Sequence, residues 1–340
     1  MARTKTIVIA LGGNAILQHG QRGTFDEQHE NVRRTCEQLA EIVRLGHRLV
    51  VTHGNGPQVG DILIQQECAA DLVPPMPLDV CGAQTQGMIG YMIQRSLRTA
   101  LEKRDIHRNV VTVVTQVVVA RNDPAFHQPT KPVGPFFPEE KARREMAAKG
   151  EKWVEEPGRG WRRVVPSPDP INIVEKESIK MLVAASNIVI ACGGGGIPVI
   201  ETEGGNLRGV EAVIDKDLAA QKLAVDVNAE ILLILTDVHR VALNFRTPKQ
   251  TDIHQMTVSQ ARQYIAESHF GVGSMLPKVT AGIRFLESGG ECAIIANLEE
   301  AVAALLGRTG TRIVPDTAGI KSPRQTGTAR TAVALKSASG

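Results

Sequence analysis

Two familiar nucleotide-binding loops are missing from this chain. It nowhere reads GxxxxGK[ST], and its stretch HGNGPQVG (53–60) carries Pro57 and a glycine spacing that does not fit GxGxxG. A nicotinamide oxidoreductase would explain the glycine turns, but it loses its usual signature with the second of these. Five cysteines, Cys36, Cys68, Cys81, Cys192 and Cys292, are odd in number and scattered, with no CxxC pair and no Cys/His cluster. That excludes a disulfide framework or a zinc knot and reads as reduced core thiols of a cytosolic protein. No long hydrophobic run occurs. The first apolar stretch, TIVIALGG from Thr6, is too short for a signal or a span and ends in glycines, so the chain is expected in the cytoplasm. Neither sign of charge is in excess: 39 basic and 36 acidic residues leave a formal net charge of +3, interspersed along the chain. Such a balance offers little for a nucleic acid or a membrane surface to hold. Ser, His and Asp fall at no spacing that supports a nucleophile with its base.

What is present has a strong rhythm. Apolar, β-branched runs recur as TIVIALGG, RLVVTHGNG, NVVTVVTQVVVA, NIVIACGGGG, EILLILTDV, ECAIIA and TRIVP. Between most of them lie stretches of helical period, at 30–45, 58–70, 83–102, 176–185, 216–225, 258–268 and 276–287. Continuous apolar strands alternating with helices predict an α/β fold, its mainly parallel sheet covered on both faces. The 340 residues suit one such domain carrying an insertion. Residues 121–168 break the rhythm, holding eight of the 18 prolines, both tryptophans and three of the seven phenylalanines. Linkers are poor in aromatics, so this segment is expected to be a small subdomain inserted in a domain spanning 1–316, with a short charged helix at 139–149. The stretch 317–340, rich in Thr, Ala, Ser and Gly, is expected to be a mobile tail.

Ligands of open α/β sheets bind beyond the carboxyl ends of the strands, which here means ALGGNA, THGNGPQVG and ACGGGGIP. At the first, Gly12, Gly13 and Asn14 could present backbone N–H groups to a phosphate, or simply make a tight turn. Three glycine turns in one sheet favour the anion. Lys216 stands between Asp215 and Asp217 at a helix start; Lys278 follows Pro277 just inside another; Lys131 is framed by two prolines in QPTKPVGPFF. Alone, Lys216 reads as a solvated helix start and Lys278 as a surface charge, while Lys131, stiffened by its prolines, reads as a site residue or a structural turn. His53, at a strand end, reads as a site residue or a packed histidine.

Taken together, ALGGNA (10–15), HGNGPQVG (53–60), PLDVCGAQTQGMIGY (77–91), QPTKPVGPFF (128–137), CGGGGIPV (192–199), VIDKDLAA (213–220) and GSMLPKV (273–279) resemble the carbamate kinases, a branch of the amino acid kinase family. The resemblance runs over 5–316 in the family's order. It implies a three-layer αβα sandwich with a protruding subdomain, a homodimer, and reversible phosphoryl transfer between ATP and carbamate. In that family the direction is commonly toward ATP, in arginine or purine breakdown. It further implies that Lys131, Lys216 and Lys278 surround the transferred group and that Asp217 organises them. Gly12, Gly13, Asn14, Gly54, Asn55, Gly194 and Gly195 would line the small-substrate end. Gly12, Lys216, Thr236, Asp237, Ala242, Met275 and Lys278 would take ATP or ADP, with Mg2+ held mainly by phosphates and water and no protein ligand to name. Asp215 is expected to serve the turn alone, residues 79–91 to belong to the dimer interface, and the subdomain to move as a lid carrying Lys131.

The chemistry agrees with such an array. Phosphoryl transfer asks for in-line positioning and charge neutralisation, and carbamate's oxygen is already anionic, so no general base is needed. One stretch departs from the pattern. Where carbamate kinases commonly continue Asp-x-Val-Tyr and a further aromatic, this chain has Val238-His239-Arg240-Val241-Ala242, with Phe245 beyond. Other readings are a family member acting on acetylglutamate or isopentenyl phosphate, and a catalytically silent nucleotide sensor. The lysine between two aspartates and the aromatic subdomain favour carbamate over the first, and the retained lysines speak against the second.

Overall fold

The computed structural model describes residues 3–316; the tail expected at 317–340 lies outside them. The chain begins with β1 (Thr6–Leu11), α1 (Phe25–Arg44) and β2 (Arg48–His53), then two successive helices, α2 (Gly56–Cys68) and α3 (Leu78–Glu102). Helix α1 starts earlier than its apolar period because Thr24 and Glu27 form a capping box that satisfies the first free amides. Helix α3 likewise reaches back to Leu78, directly behind Pro77.

The run NVVTVVTQVVVA, which reads as one strand, is two: β3 (Val110–Thr112) and β4 (Gln116–Val119), in different sheets. The break is enforced at Thr115. Its N–H donates to Gln86 Oε1 (2.7 Å), and its hydroxyl accepts from the Cys192 amide (3.0 Å) while donating to the Val113 carbonyl (2.7 Å). Beyond it come β5 (Lys131–Phe137), α4 (Glu139–Lys149), β6 (Lys152–Glu156) and β7 (Gly160–Val165). The three strands form their own antiparallel sheet, ordered β5-β7-β6, and Trp153 packs edge-on to Phe137 with ring centroids 5.7 Å apart.

The chain returns through β8 (Pro170–Ile173), α5 (Lys176–Ala184), β9 (Ile188–Ile190), β10 (Ile197–Glu201), β11 (Leu207–Gly209) and α6 (Lys216–Asp226). Next are β12 (Ile231–Thr236), the ribbon β13 (Val241–Leu243) and β14 (Thr251–Ile253), and β15 (Gln255–Thr257). Helices α7 (Val258–Ala266) and α8 (Met275–Glu287), then β16 (Cys292–Asn297), α9 (Ala301–Leu305) and β17 (Thr311–Val314), complete it.

Eight strands make the main sheet in the order β15-β17-β16-β12-β1-β2-β9-β3. From β16 to β3 every pairing is parallel, and β17 runs against β16 near one edge. Strand β1 explains the layering. Ile7, Ile9 and Leu11 face one way, into a core shared with α1, α3 and α9; Val8 and Ala10 face the other, into a core shared with α5, α6, α7 and α8. All five are buried, so a strand this apolar is stable only between two helical layers. The expected three-layer αβα sandwich is the fold found. A second sheet, β11-β10-β4-β8, stands beside it.

Candidate active site

Strands β12, β1, β2 and β9 are parallel neighbours, so their carboxyl ends share one edge of the sheet. Three of those ends turn on glycine. A Cβ on Gly12, after β1, would come within 2.9 Å of the Leu235 carbonyl, and one on Gly54, after β2, would sit 3.3 Å from Lys216 Cδ and 3.6 Å from Gly13 N. After β9, Gly194, Gly195 and Gly196 have φ of +68°, +96° and +87°. A Cβ on Gly194 would overlap the Asn55 side chain, and one on Gly195 the Ile214 carbonyl just ahead of α6. The turns after β1, β2 and β9 and the start of α6 therefore touch, at a closeness that only glycine permits.

The amides of Gly12, Gly54 and Gly195 donate to Leu235, Leu11 and Cys192 carbonyls at 2.9, 3.0 and 3.0 Å. At these positions the turn needs the missing side chain more than the N–H. Donors toward an anion have to come from neighbours, Gly13, Asn14 and Gly194. Sequence reasoning missed what braces this floor. Gln86 Nε2 donates to the carbonyls of Gly193 (3.0 Å) and Thr115 (3.1 Å), and Asn55 Nδ2 donates to Thr85 Oγ1 (2.8 Å). Thr85 and Gln86 are buried polar residues on a mainly apolar face of α3, which was the available signal. His53 is the packed histidine of its two readings: buried, Nδ1 2.9 Å from the Gly54 carbonyl, its pKa pushed down by burial to about 4.

The lysines gather at the start of α6. Asp217, buried in its first turn, accepts from Lys216 Nζ through Oδ1 (2.7 Å) and from Lys278 Nζ, on the first turn of α8, through Oδ2 (2.9 Å). Burial alone would raise the Asp217 carboxyl, but the two ammonium groups hold it well below the usual carboxylate range. Burial also acts against both lysines. For Lys278, Asp217 more than offsets it and the pKa is raised; for Lys216, which Lys278 also repels, burial wins and the pKa is lowered.

Asp215 is not confined to the turn. Its Oδ1 caps α6 by accepting the Asp217 amide (2.9 Å), while Oδ2 accepts from Lys131 Nζ (2.7 Å). Two aspartates thus collect all three lysines at one helix start.

Thr236, Asp237, Ala242, Met275 and Lys278 line a common cavity of about 270 Å³, with Phe245 also in its wall. Gly12 and Lys216 lie outside that lining. Across the first turn of α8, a cleft of about 530 Å³ runs along Lys131, Asp215, Leu276 and Thr280. A larger one, about 640 Å³, lies between α2 and α4, but its charges pair with one another, Lys141 with Glu67 (3.1 Å) and Arg144 with Glu145 (3.2 Å). Among the described residues no group of three His, Cys, Asp or Glu is placed to hold a metal ion.

The model of the amino acid kinase family matches residues 5–297. The carbamate kinase of Pyrococcus horikoshii is 56% identical over 313 residues, 91% of this chain and 99% of that one. That of Trichomonas vaginalis is 51% identical over 312 residues, again 91% and 99%. The chain belongs to the carbamate kinases of the amino acid kinase family. The structure of the Giardia lamblia carbamate kinase bound to AMP-PNP superposes with a TM-score of 0.87 at 45% identity, covering 93% of this chain and all of that one. An N-acetylglutamate synthase from Neisseria gonorrhoeae, at 16% identity and a TM-score of 0.55, shares the fold alone. Between these carbamate kinases and this chain the match extends through the lysine-bearing segments as well as the sheet.

Proposed function

We infer that this protein is a carbamate kinase, transferring a phosphoryl group reversibly between ATP and carbamate. The observation that carries the reading is the pair of aspartates holding Lys131, Lys216 and Lys278 at the start of α6. In the direction of ATP synthesis, a β-phosphate oxygen of ADP attacks the phosphorus of carbamoyl phosphate. The bond from phosphorus to the carbamoyl oxygen breaks, and carbamate leaves with the electron pair. No proton moves. The work is to bring two anions together, and Lys216 and Lys278 stabilise the charge spread over the phosphoryl oxygens. Thr236, Asp237, Ala242 and Met275 take the nucleoside, and Gly13, Asn14, Gly54, Asn55 and Gly194 shape a recess for the three-heavy-atom carbamoyl group. Asp215 and Asp217 are both engaged by lysine, so Mg2+ would be held by the phosphate oxygens of the nucleotide and by water, neutralising phosphate charge there. Residues 121–168 act as a lid that brings Lys131 in.

The working unit is a homodimer. Support comes from a patch where Tyr91 and Met88 of α3 stand exposed beside Phe25 and Arg95, a composition typical of interface centres. The role is ATP production in the cytoplasm, in keeping with five free thiols and with no described helix long and apolar enough to cross a membrane.

The deciding assay mixes protein, ADP, Mg2+ and fresh carbamoyl phosphate and follows ATP by a coupled reaction. ATP formation that is largely lost in Lys131→Ala and Lys278→Ala is the expected result. No ATP while ADP still binds would overturn the reading in favour of another substrate or a silent sensor.

A further inference from the structure

We propose that Asp215 is a positioning residue for the transfer step, the dock that fixes Lys131 beside Lys216 and Lys278. This rests on the carbamate kinase reading and extends it to a residue that the turn alone would explain. Asp215 has two jobs on two oxygens: Oδ1 caps α6 and Oδ2 holds Lys131 at 2.7 Å. Lys131 comes from β5, in a sheet separate from the one that places α6, and an ammonium on a four-carbon stem has wide freedom.

The surroundings make that freedom real. The pair borders the cleft of about 530 Å³, so Lys131 has open space beside it into which it can swing away. A carboxylate anchored by its own helix cap removes that freedom while occupying only one of the three N–H groups. The other two remain for phosphoryl oxygens. Because residue 215 directly precedes Lys216, the dock places the third cation at the same helix start that bears the first. The Asp215 and Lys131 side chains are 13% and 31% exposed, which shields the contact from the solvent that weakens surface pairs.

The test separates the cap from the dock. Asn caps helices as well as Asp does, so Asp215→Asn keeps the cap and removes the charge that holds Lys131. The expected result is a fall in kcat of about 10- to 100-fold, with the KM for ADP changed less than threefold and the melting temperature within about 2 °C of wild type. The double variant Asp215→Asn/Lys131→Met should be no slower than Lys131→Met alone, since both remove one interaction. Asp215→Glu should recover part of the loss. If Asp215→Asn proves unstable, Asp215→Ser, which caps through its hydroxyl, replaces it in the same cycle. A kcat within twofold of wild type, or losses that multiply in the double variant, would overturn the proposal. Wild-type enzyme forming no ATP would instead refute the underlying reading.

Discussion

Replacing Asp217 by Asn tests the centre of the site with the smallest change of shape. The carboxylate is 3% exposed, and the lysine side chains it holds, Lys216 and Lys278, are 16% and 12% exposed. An amide keeps one acceptor oxygen but turns an NH2 toward the second ammonium, so two largely buried cations would face each other with no anion between them. Removing one partner of a buried ion pair costs about 3–5 kcal/mol. Spread over the 314 described residues, at about 2.1 cal/mol/K each, that is a fall in melting temperature of about 5–8 °C. Catalysis should lose more in relative terms. A misplaced preorganised donor costs about 100- to 1,000-fold in turnover, and Lys216 is the more vulnerable of the two, its pKa already lowered by burial. Without Asp217 that pKa falls further. A lysine with a lowered pKa loses its charge as pH rises, so the alkaline limb of the kcat profile should move to lower pH in the variant. The assay is ATP formation from carbamoyl phosphate across pH, with ADP saturation curves at each point. Turnover within threefold of wild type, or an alkaline limb that stays in place, would refute the idea that Asp217 keeps these lysines charged and aimed.

Further outcomes follow from single contacts. His53 is neutral in the fold, with a pKa near 4 against 6.5 in the unfolded chain, so it contributes stability above pH 6.5 that is lost as pH falls. The loss should reach about 3 kcal/mol by pH 4, and a urea titration of His53→Gln should show a flatter pH dependence than wild type. Gly194→Ala places a methyl group against Asn55 at φ +68°, and should raise the KM for carbamoyl phosphate at least tenfold while leaving that for ADP within threefold. Gly60→Ala would bring Cβ within 2.5 Å of Gly134 Cα, pushing β5 away from α2; turnover should fall tenfold or more, with subdomain amides exchanging faster with deuterium. Nucleotide should slow exchange across 121–168 in the wild type, and no change on adding ADP would count against the lid.

The layered fold was legible because β-strands buried on both faces have little choice of composition: TIVIAL and EILLILT announce themselves. Its boundaries were less legible: apolar period starts α1 at residue 30, five residues late, because the turn built by the Thr24 and Glu27 cap is mainly polar, whereas the charged helix expected at 139–149 is found with those bounds. The split of 109–120 into β3 and β4 was not, since the residues either side of Thr115 are equally apolar and β-branched; the break depends on Gln86 and Cys192, distant in sequence. The lysines could be found one at a time but not assembled, because spacing says nothing of which carboxylate meets which ammonium. That is why Asp215 looked like a turn residue. Its cap is local, whereas its contact with Lys131 spans 84 positions.

The order of the main sheet also sets a timetable. Strand β1 lies between β2 and β12, yet β12 begins at Ile231, some 220 residues after β1 ends. At about 5–20 residues per second, a ribosome needs roughly 11–44 s to deliver it. Throughout that interval the nascent chain carries one of its most apolar strands with an open edge, and neither the glycine floor nor the lysine cluster can close. Newly made protein should therefore be more dependent on a holding chaperone than full-length chains refolding from denaturant, for which both edges of β1 are available from the start.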